Sequence, residues 1–319
     1  MKFRQVKYLP LALMLLALVA CGGNPQEEAR EQLGRKKINF DADSFINRAQ
    51  VGDVEAIKLF LQAGMKPNVV SGRGGQTPLA NAARYNRQEV VQVLLAHGAD
   101  PDARSMGSTA LIWAAINGSN DLVRLLLDRG ADLQATDRQH GMNALQSAAM
   151  AGKADTVNLL LERGAEINSR DRDGKTALIW ASHYGRDEAV QVLLNHGADI
   201  SLKENIQGLD ALLAAATRGN AATVKLLLDK GADPNSRDNR GQTALMMAAR
   251  GWPEIVRLLV KGGADLNARD QEGRTALSLA RDDQRKDVVG ILEKAGAREG
   301  PAGTEAPAGT PPGPQKSKP

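Results

Sequence analysis

Four histidines (His97, His140, His183 and His196) and a single cysteine, Cys21, are the side chains in this 319-residue chain best suited to metal ligation or nucleophilic attack. A zinc site needs three or four such groups converging, usually with two at short spacing. Here they are scattered. His97 and His196 each stand directly before a Gly that ends a helical pattern, where a polar or cationic group suits the helix C-terminal carbonyls. His140 lies among turn formers, with no Cys or second His beside it. No H-E-x-x-H, G-x-S-x-G or phosphate-loop pattern is present. The residues therefore point to no catalytic group, metal or cofactor, and to a protein that is not an enzyme.

What does recur is a scaffold. "TALIWAA" begins at Thr109 and "TALIWAS" at Thr176, 67 residues apart. A Gly-Ala pair marks the underlying period at Gly98, Gly130, Gly164, Gly197, Gly231, Gly263 and Gly296, with Gly64-Met65 opening the series in steps of 32 to 34 residues. Counting back 21 residues from these glycines reaches Asp43, Thr77, Thr109, Asn143, Thr176, Asp210 and Thr275, all good helix N-caps. One unit, Thr243 to Gly263, is a residue short near Gly251-Trp252-Pro253. Each unit predicts two helices. In the first, Leu111, Ala114 and Ala115 share a face; in the second, Leu122, Val123, Leu125 and Leu126 are apolar before Gly130 ends it. A turn-rich segment then reads as a hairpin leading to the next cap. Four or so large aliphatics, at roughly 1.5–3 kcal/mol each on burial, cannot offset the ordering of one such unit alone. The units must stack, which predicts an all-α solenoid.

The pattern T-x-L-x-x-A-A, then h-V-x-x-L-L, then G-A-D-x-N and D-x-x-G resembles the ankyrin repeat, most fully in "GQTPLANAARYNRQEVVQVLLAHGADPDA". The resemblance covers residues 40–298 as about eight units, with Arg48 and Arg281 replacing usual alanines in the terminal, capping units. It implies that Asp171, Asp238 and Asp270 hold turns rather than act as catalytic carboxylates. It also implies that partners bind a concave face made by the first helices and hairpin tips. The family often has His after T-P-L, bonding between neighbouring loops. This chain has Ala80, Ile112, Gln146, Ile179, Leu213, Met246 and Ser278 there, which predicts a weaker loop network.

Residues 1–20 combine a basic start with the 13-residue apolar run "YLPLALMLLALVA", too short for a mature membrane span and so read as a signal peptide. "LVAC" resembles the bacterial lipobox, which implies that Cys21 is acylated and becomes the mature N-terminus; Gly22 in place of Asp after it implies sorting to the outer membrane. Residues 21–39 are expected to be the lipidated Cys and a flexible tether, and residues 299–319, rich in Pro and Gly, a disordered tail. The whole chain carries a net charge of +4, and removing Lys2, Arg4 and Lys7 with the signal leaves +1. Bulk charge gives no case for nucleic acid.

The candidate partner-binding residues lie on the first helices and tips: Arg84, Tyr85, Trp113, Asn117, Trp180, His183, Tyr184, Arg218, Arg240 and Arg250. Trp113 is about 200° around its helix from Leu111, on the face of Ile116 and Asn117. Trp180, His183 and Tyr184 share one face, and Tyr85 fills the slot of Tyr184. Aromatics of this kind anchor interfaces, although the tryptophans could equally pack between first helices. Arg73, Arg84, Arg138, Arg172, Lys175, Arg218, Arg240, Arg250, Arg274 and Arg281 occupy the variable groove positions against three acids, Asp173, Glu272 and Asp282, which predicts a positive face for an acidic protein surface. The expected function is that of a monomeric, lipid-anchored protein-interaction module. It would hold a periplasmic or envelope protein, as a scaffold or a support factor for a stress-response enzyme. An immunity protein against a periplasm-acting toxin, and a structural envelope spacer, are the alternatives.

Overall fold

Seven of the eight sequence-assigned caps open a first helix in the computed structural model, which describes residues 24–72 and 74–298. Asn143 and Thr275 form capping boxes, with Asn143 Oδ1 accepting from Gln146 N at 2.9 Å and Thr275 Oγ1 from Ser278 N at 3.3 Å. The exception is the first repeat. Its cap is Asp41, extended at φ −140° and accepting from Ser44 N at 2.7 Å. Asp43, the residue that the repeat spacing picks, falls inside the first turn, where its charge still favours the helix N-terminus.

The described residues hold 17 helices and one two-residue strand pair. They divide into two compact units: residues 24–114 with 121–132, and residues 115–120 with 133–298. In the first unit α1 (Pro25–Arg35) precedes the helix pairs α2 (Ala42–Val51) with α3 (Val54–Gln62) and α4 (Pro78–Arg84) with α5 (Gln88–Ala96). Strands β1 (Arg104–Ser105) and β2 (Ser108–Thr109) follow, pairing Arg104 with Thr109. Helices α6 (Ala110–Asn117) and α7 (Asn120–Asp128) come next in the chain.

The second unit pairs α8 (Ala144–Ala151) with α9 (Ala154–Glu162), α10 (Ala177–His183) with α11 (Asp187–Asn195), and α12 (Ala211–Arg218) with α13 (Ala221–Asp229). It continues with α14 (Ala244–Ala249) and α15 (Pro253–Lys261), then α16 (Ala276–Asp282) and α17 (Lys286–Lys294). Within it first helices pack on first helices and second on second, so each pair has neighbours on both sides except at the ends. The buried layer is small-against-large: Leu145, Leu178, Leu212 and Leu245 on the first helices among fully buried alanines, and Leu160, Leu193, Leu227 and Leu259 on the second. Alanines let the first helices approach closely while leucines fill the gap between the layers.

Every second helix ends at the glycine that marks the period, with φ between +80° and +93°. At Gly164, φ +90° returns the chain so that Ala165 N bonds Leu160 O at 3.0 Å, satisfying a carbonyl the helix leaves free. In several repeats an Asn or Asp four residues after the glycine that ends the second helix ties one repeat to the next. Asn68 Oδ1 accepts from Asp100 N at 2.8 Å and Asp102 Oδ1 from Asp132 N at 2.9 Å in the first unit. In the second, Asn168 accepts from Asp199 N at 3.0 Å and Asn235 from Asp265 N at 2.7 Å. The loop acids hold turns: Asp171, Asp238 and Asp270 each accept backbone N–H bonds from residues two and four positions on. At the position after T-x-L, Gln146 Nε2 donates to Ser169 O and Lys175 O, both at 3.0 Å. There a Gln supplies the loop bridge that the missing His was expected to cost.

The tether expected over residues 21–39 is largely replaced by α1. Asn24 caps it, Ala29 and Leu33 are buried against α3, and the Arg30 guanidinium sits 4.7 Å from the centroid of the Phe40 ring. The composition is polar because only one face is needed. Ala29 and Leu33 stand at i, i+4, and that narrow stripe suffices to cover α3. Residues 1–23 with Cys21, and residues 299–319, lie outside the described residues. No helix among the described residues is long and apolar enough to cross a membrane.

Candidate functional site

Helix α10 and the residue after it carry a group of part-exposed side chains with binding chemistry in the second unit. Thr176 Oγ1 accepts from Ile179 N and sets the helix start, so that Trp180, His183 and Tyr184 fall at i, i+3 and i+4 on one side. The Trp180 and Tyr184 rings stack at 6.0 Å and 13°, and His183 meets Tyr184 edge-on at 5.0 Å. Lys175 Nζ lies 4.7 Å over the indole of Trp180 while also pairing with Asp173 at 2.9 Å, and the Arg186 guanidinium lies 5.9 Å from Tyr184.

Trp180 has two roles. Its Nε1–H donates to Asp171 Oδ2 at 2.8 Å, which fixes the indole to the turn, yet the residue remains half-buried and supports Tyr184, which is 46% exposed. Trp113 in the first unit behaves alike, donating to Ser105 O at 3.3 Å and staying half-buried. Both tryptophans are thus held in place by an indole N–H bond and covered on part of their surface. Beside Trp113, the Arg84 guanidinium stands 5.0 Å from its ring and 5.3 Å from Tyr85.

Of the other second-unit candidates, Arg218 joins the α10 cluster and Arg240 and Arg250 do not. Arg218 approaches His183, its Nε donating to Nε2 at 3.0 Å. Burial lowers the pKa of His183 first, and the charges of Arg218 and Lys175 lower it further. Arg240, at a tip, and Arg250, capping α14, line a different cavity in the same unit, and Arg250 pairs with Asp283 at 3.6 Å. Asn117 is exposed at the end of α6.

The expected positive groove is thinner than the sequence count implies. Arg274 is tied to Asp270 and Glu272 at 2.8 and 3.0 Å, Arg281 to Glu293 at 2.6 Å, and Lys175 to Asp173. Three acids outside that count, Asp270, Asp283 and Glu293, neutralise cations within it. Arg73 lies outside the described residues. In the second unit positive charge stays in local spots, among them Arg218 beside the aromatic cluster and Arg240 on its tip.

Trp252, exposed at 43%, is the residue that sequence reasoning passed over. Its signal was the one-residue deletion beside it. The histidines serve local contacts: His97 Nδ1 meets Val93 O and His196 Nε2 meets Asn158 Oδ1, both at 2.8 Å. Among the described residues no three His, Cys, Asp or Glu side chains converge in a way that could hold a metal ion.

A family model described as ankyrin repeats matches three times in succession, over residues 45–137, 134–204 and 207–299. Among similar proteins, human 2-5A-dependent ribonuclease is 40% identical over 97 residues, covering 30% of this chain and 13% of that protein. Human protein phosphatase 1 regulatory subunit 27 is 40% identical over 116 residues, 36% of this chain and 75% of that protein. Protein PhlB of Serratia liquefaciens is 34% identical over 137 residues, 41% of this chain and 59% of that protein. The matches to the ribonuclease and to the mouse B-cell lymphoma 3 protein homolog span only 13% and 26% of those proteins.

Proposed function

The chain belongs to the ankyrin-repeat family, and from that premise we propose that it is a lipid-anchored module of the bacterial envelope that holds another envelope protein against its first helices and hairpin tips. Ankyrin repeats are protein-interaction modules and typically not enzymes. The enzyme names among the similar proteins attach to matches confined to repeat segments. Protein phosphatase 1 regulatory subunit 27, much of which is matched here, is by its name a regulator of another protein. That favours a support or scaffold role for this chain over chemistry of its own.

One observation carries the reading. The stacked Trp180–Tyr184 pair, with His183, Lys175 and Arg218 around it, is an aromatic surface that is already ordered and only part-covered. Rigid aromatics lose little conformational entropy on binding, and flanking cations favour an acidic partner surface and speed its docking. The anchor rests on "LVAC" before Cys21, and Gly22 after it favours the outer membrane, with the repeats facing the periplasm.

A photo-crosslinking amino acid placed at Tyr184, and separately at Glu188 on the second helix α11, tests the surface in the intact envelope. The expected result is one dominant protein adduct from position 184 and none from 188. Adducts from 188 alone, or from neither position, would show that this face is not the binding face.

A further inference from the structure

In most repeats the residue just before the second helix lies over the glycine that ends the first helix one repeat earlier. Arg87 covers Gly52, Lys153 covers Gly118, Arg186 covers Gly152 and Asn220 covers Gly185. Several also satisfy helix-end carbonyls, as when Arg87 Nε donates to Gln50 O at 2.9 Å and Arg186 Nε to Met150 O at 3.1 Å. In the short repeat this position is Trp252. Helix α14 has six residues, and Gly251 lacks the left-handed φ of its counterparts. The indole is laid on Gly219 so closely that a Cβ there, at φ +78°, would stand 2.7 Å from ring carbons. A hydrogen-bonding cap has been exchanged for an exposed apolar wall.

That wall bounds a cavity of about 720 Å³ within the second unit. Its apolar lining is Trp252, Met247 and Ile206, the last 62% exposed. Its cationic lining is Arg240, Arg250 and Arg285, against one acid, Asp238. Asp238 spends its carboxylate on the N–H groups of Arg240 and Gln242 at 2.8 and 2.7 Å. Arg285 reaches Gly251 O and Asp287, and Arg250 reaches Asp283. The Arg240 guanidinium has no ion-pair partner among the described residues. The volume falls in the range of roughly 300–1,000 Å³ typical of ligand pockets.

We propose that this cavity docks a peptide segment of a partner protein in which an aromatic or large aliphatic side chain is flanked by carboxylates. The inference rests on the protein-binding reading above. The apolar side chain packs on Trp252 and Met247 while the carboxylates meet Arg240 and Arg285. Charge complementarity selects the sign of the flanks, since Arg240 is without an ion pair among the described residues and the Arg285–Asp287 contact is long at 3.9 Å, while the carboxylate of Asp238 is taken up by backbone N–H groups. The apolar wall demands more than charge. An anionic surface alone would leave Trp252 and Ile206 unused.

The test uses the chain without residues 1–20 and three short labelled peptides. The first alternates Asp and Glu around a central Phe; the second has Ser for Phe; the third has Lys and Arg for the acids. Fluorescence anisotropy should show the first peptide binding about tenfold or more tighter than the other two. Trp252→Arg restores the residue type that sits over glycine at Gly52 and Gly152, so the fold is kept and the wall is lost. It should weaken the first peptide about tenfold, as should Arg240→Glu, whereas Glu188→Ala on the second helix α11 should leave it unchanged. Equal affinity for the Ser peptide, indifference to Trp252→Arg, or no binding of any peptide overturns the inference. Crosslinking from Tyr184 without peptide binding would sink the cavity and leave the protein-binding reading standing. Peptide binding without crosslinking would keep the cavity and rule out the α10 surface as the binding face.

Discussion

Nε of Arg218 donates to Nε2 of His183 across 3.0 Å and 35 residues of sequence. A guanidinium has no acceptor, so Nε2 must offer its lone pair and the imidazole carries its proton on Nδ1. The aromatic cluster on α10 is thereby held with a neutral histidine between two cations, Arg218 and Lys175.

This geometry makes stability depend on pH in a definite direction. The folded pKa of His183 is below its ordinary 6.5, through burial first and then Arg218 and Lys175. The stabilisation from keeping it neutral is complete above pH 6.5 and is lost as pH falls from there through the folded value. Urea midpoints measured across that window should fall less steeply with acid in His183→Gln than in the parent. In Arg218→Ala the ring should titrate higher, observed by NMR of its Cε1–H. An unmoved titration would show that the contact does not act on the imidazole.

Helix α1 should behave as a cap on the repeats. Leu33 is 1% exposed, so Leu33→Asp buries a carboxylate with no partner designed for it and should cost about 2 kcal/mol or more. Hydrogen exchange should show protection lost first in α1 and α3. A flexible tether would give no change in either measurement.

Leu160→Ala should destabilise by about 2–5 kcal/mol, since the side chain is fully buried on α9 and its removal leaves a cavity. Leu161, half-buried beside it, serves as the internal control and should cost much less when truncated. Comparable losses at both positions in chemical denaturation would contradict the packing described.

The envelope anchor is tested at Cys21. Cys21→Ala expressed in a bacterial host should move the protein from the membrane to the soluble periplasmic fraction, and metabolic labelling with a fatty acid should disappear. Persistence on the membrane without the cysteine would rule out a purely lipid attachment.

Most of the fold was legible because its signals are local. A Thr or Asn cap acts on the N–H two or three residues on, a Gly end acts on the preceding turn, and a leucine stripe is read at i, i+3 and i+4. The cap at Asp41 escaped because the repeat spacing was carried past the terminal unit, which need not keep it. The aromatic cluster was partly legible for the same reason. Trp180, His183 and Tyr184 lie within one turn of one helix, so their spacing places them together.

By itself, the sequence determined the repeat period, the helix pairs, their ends and the face on which each residue stands, since all follow from backbone geometry within about a turn. Only the tertiary structure decided which neighbours those faces meet. It paired Arg218 with His183, laid Trp252 on Gly219, tied Arg281 to Glu293, and folded Ala29 and Leu33 onto α3. These contacts join side chains far apart in sequence or different chain segments. Their outcome depends on rotamers, on close packing, and on which cation reaches a carboxylate first, none of which spacing along the chain encodes.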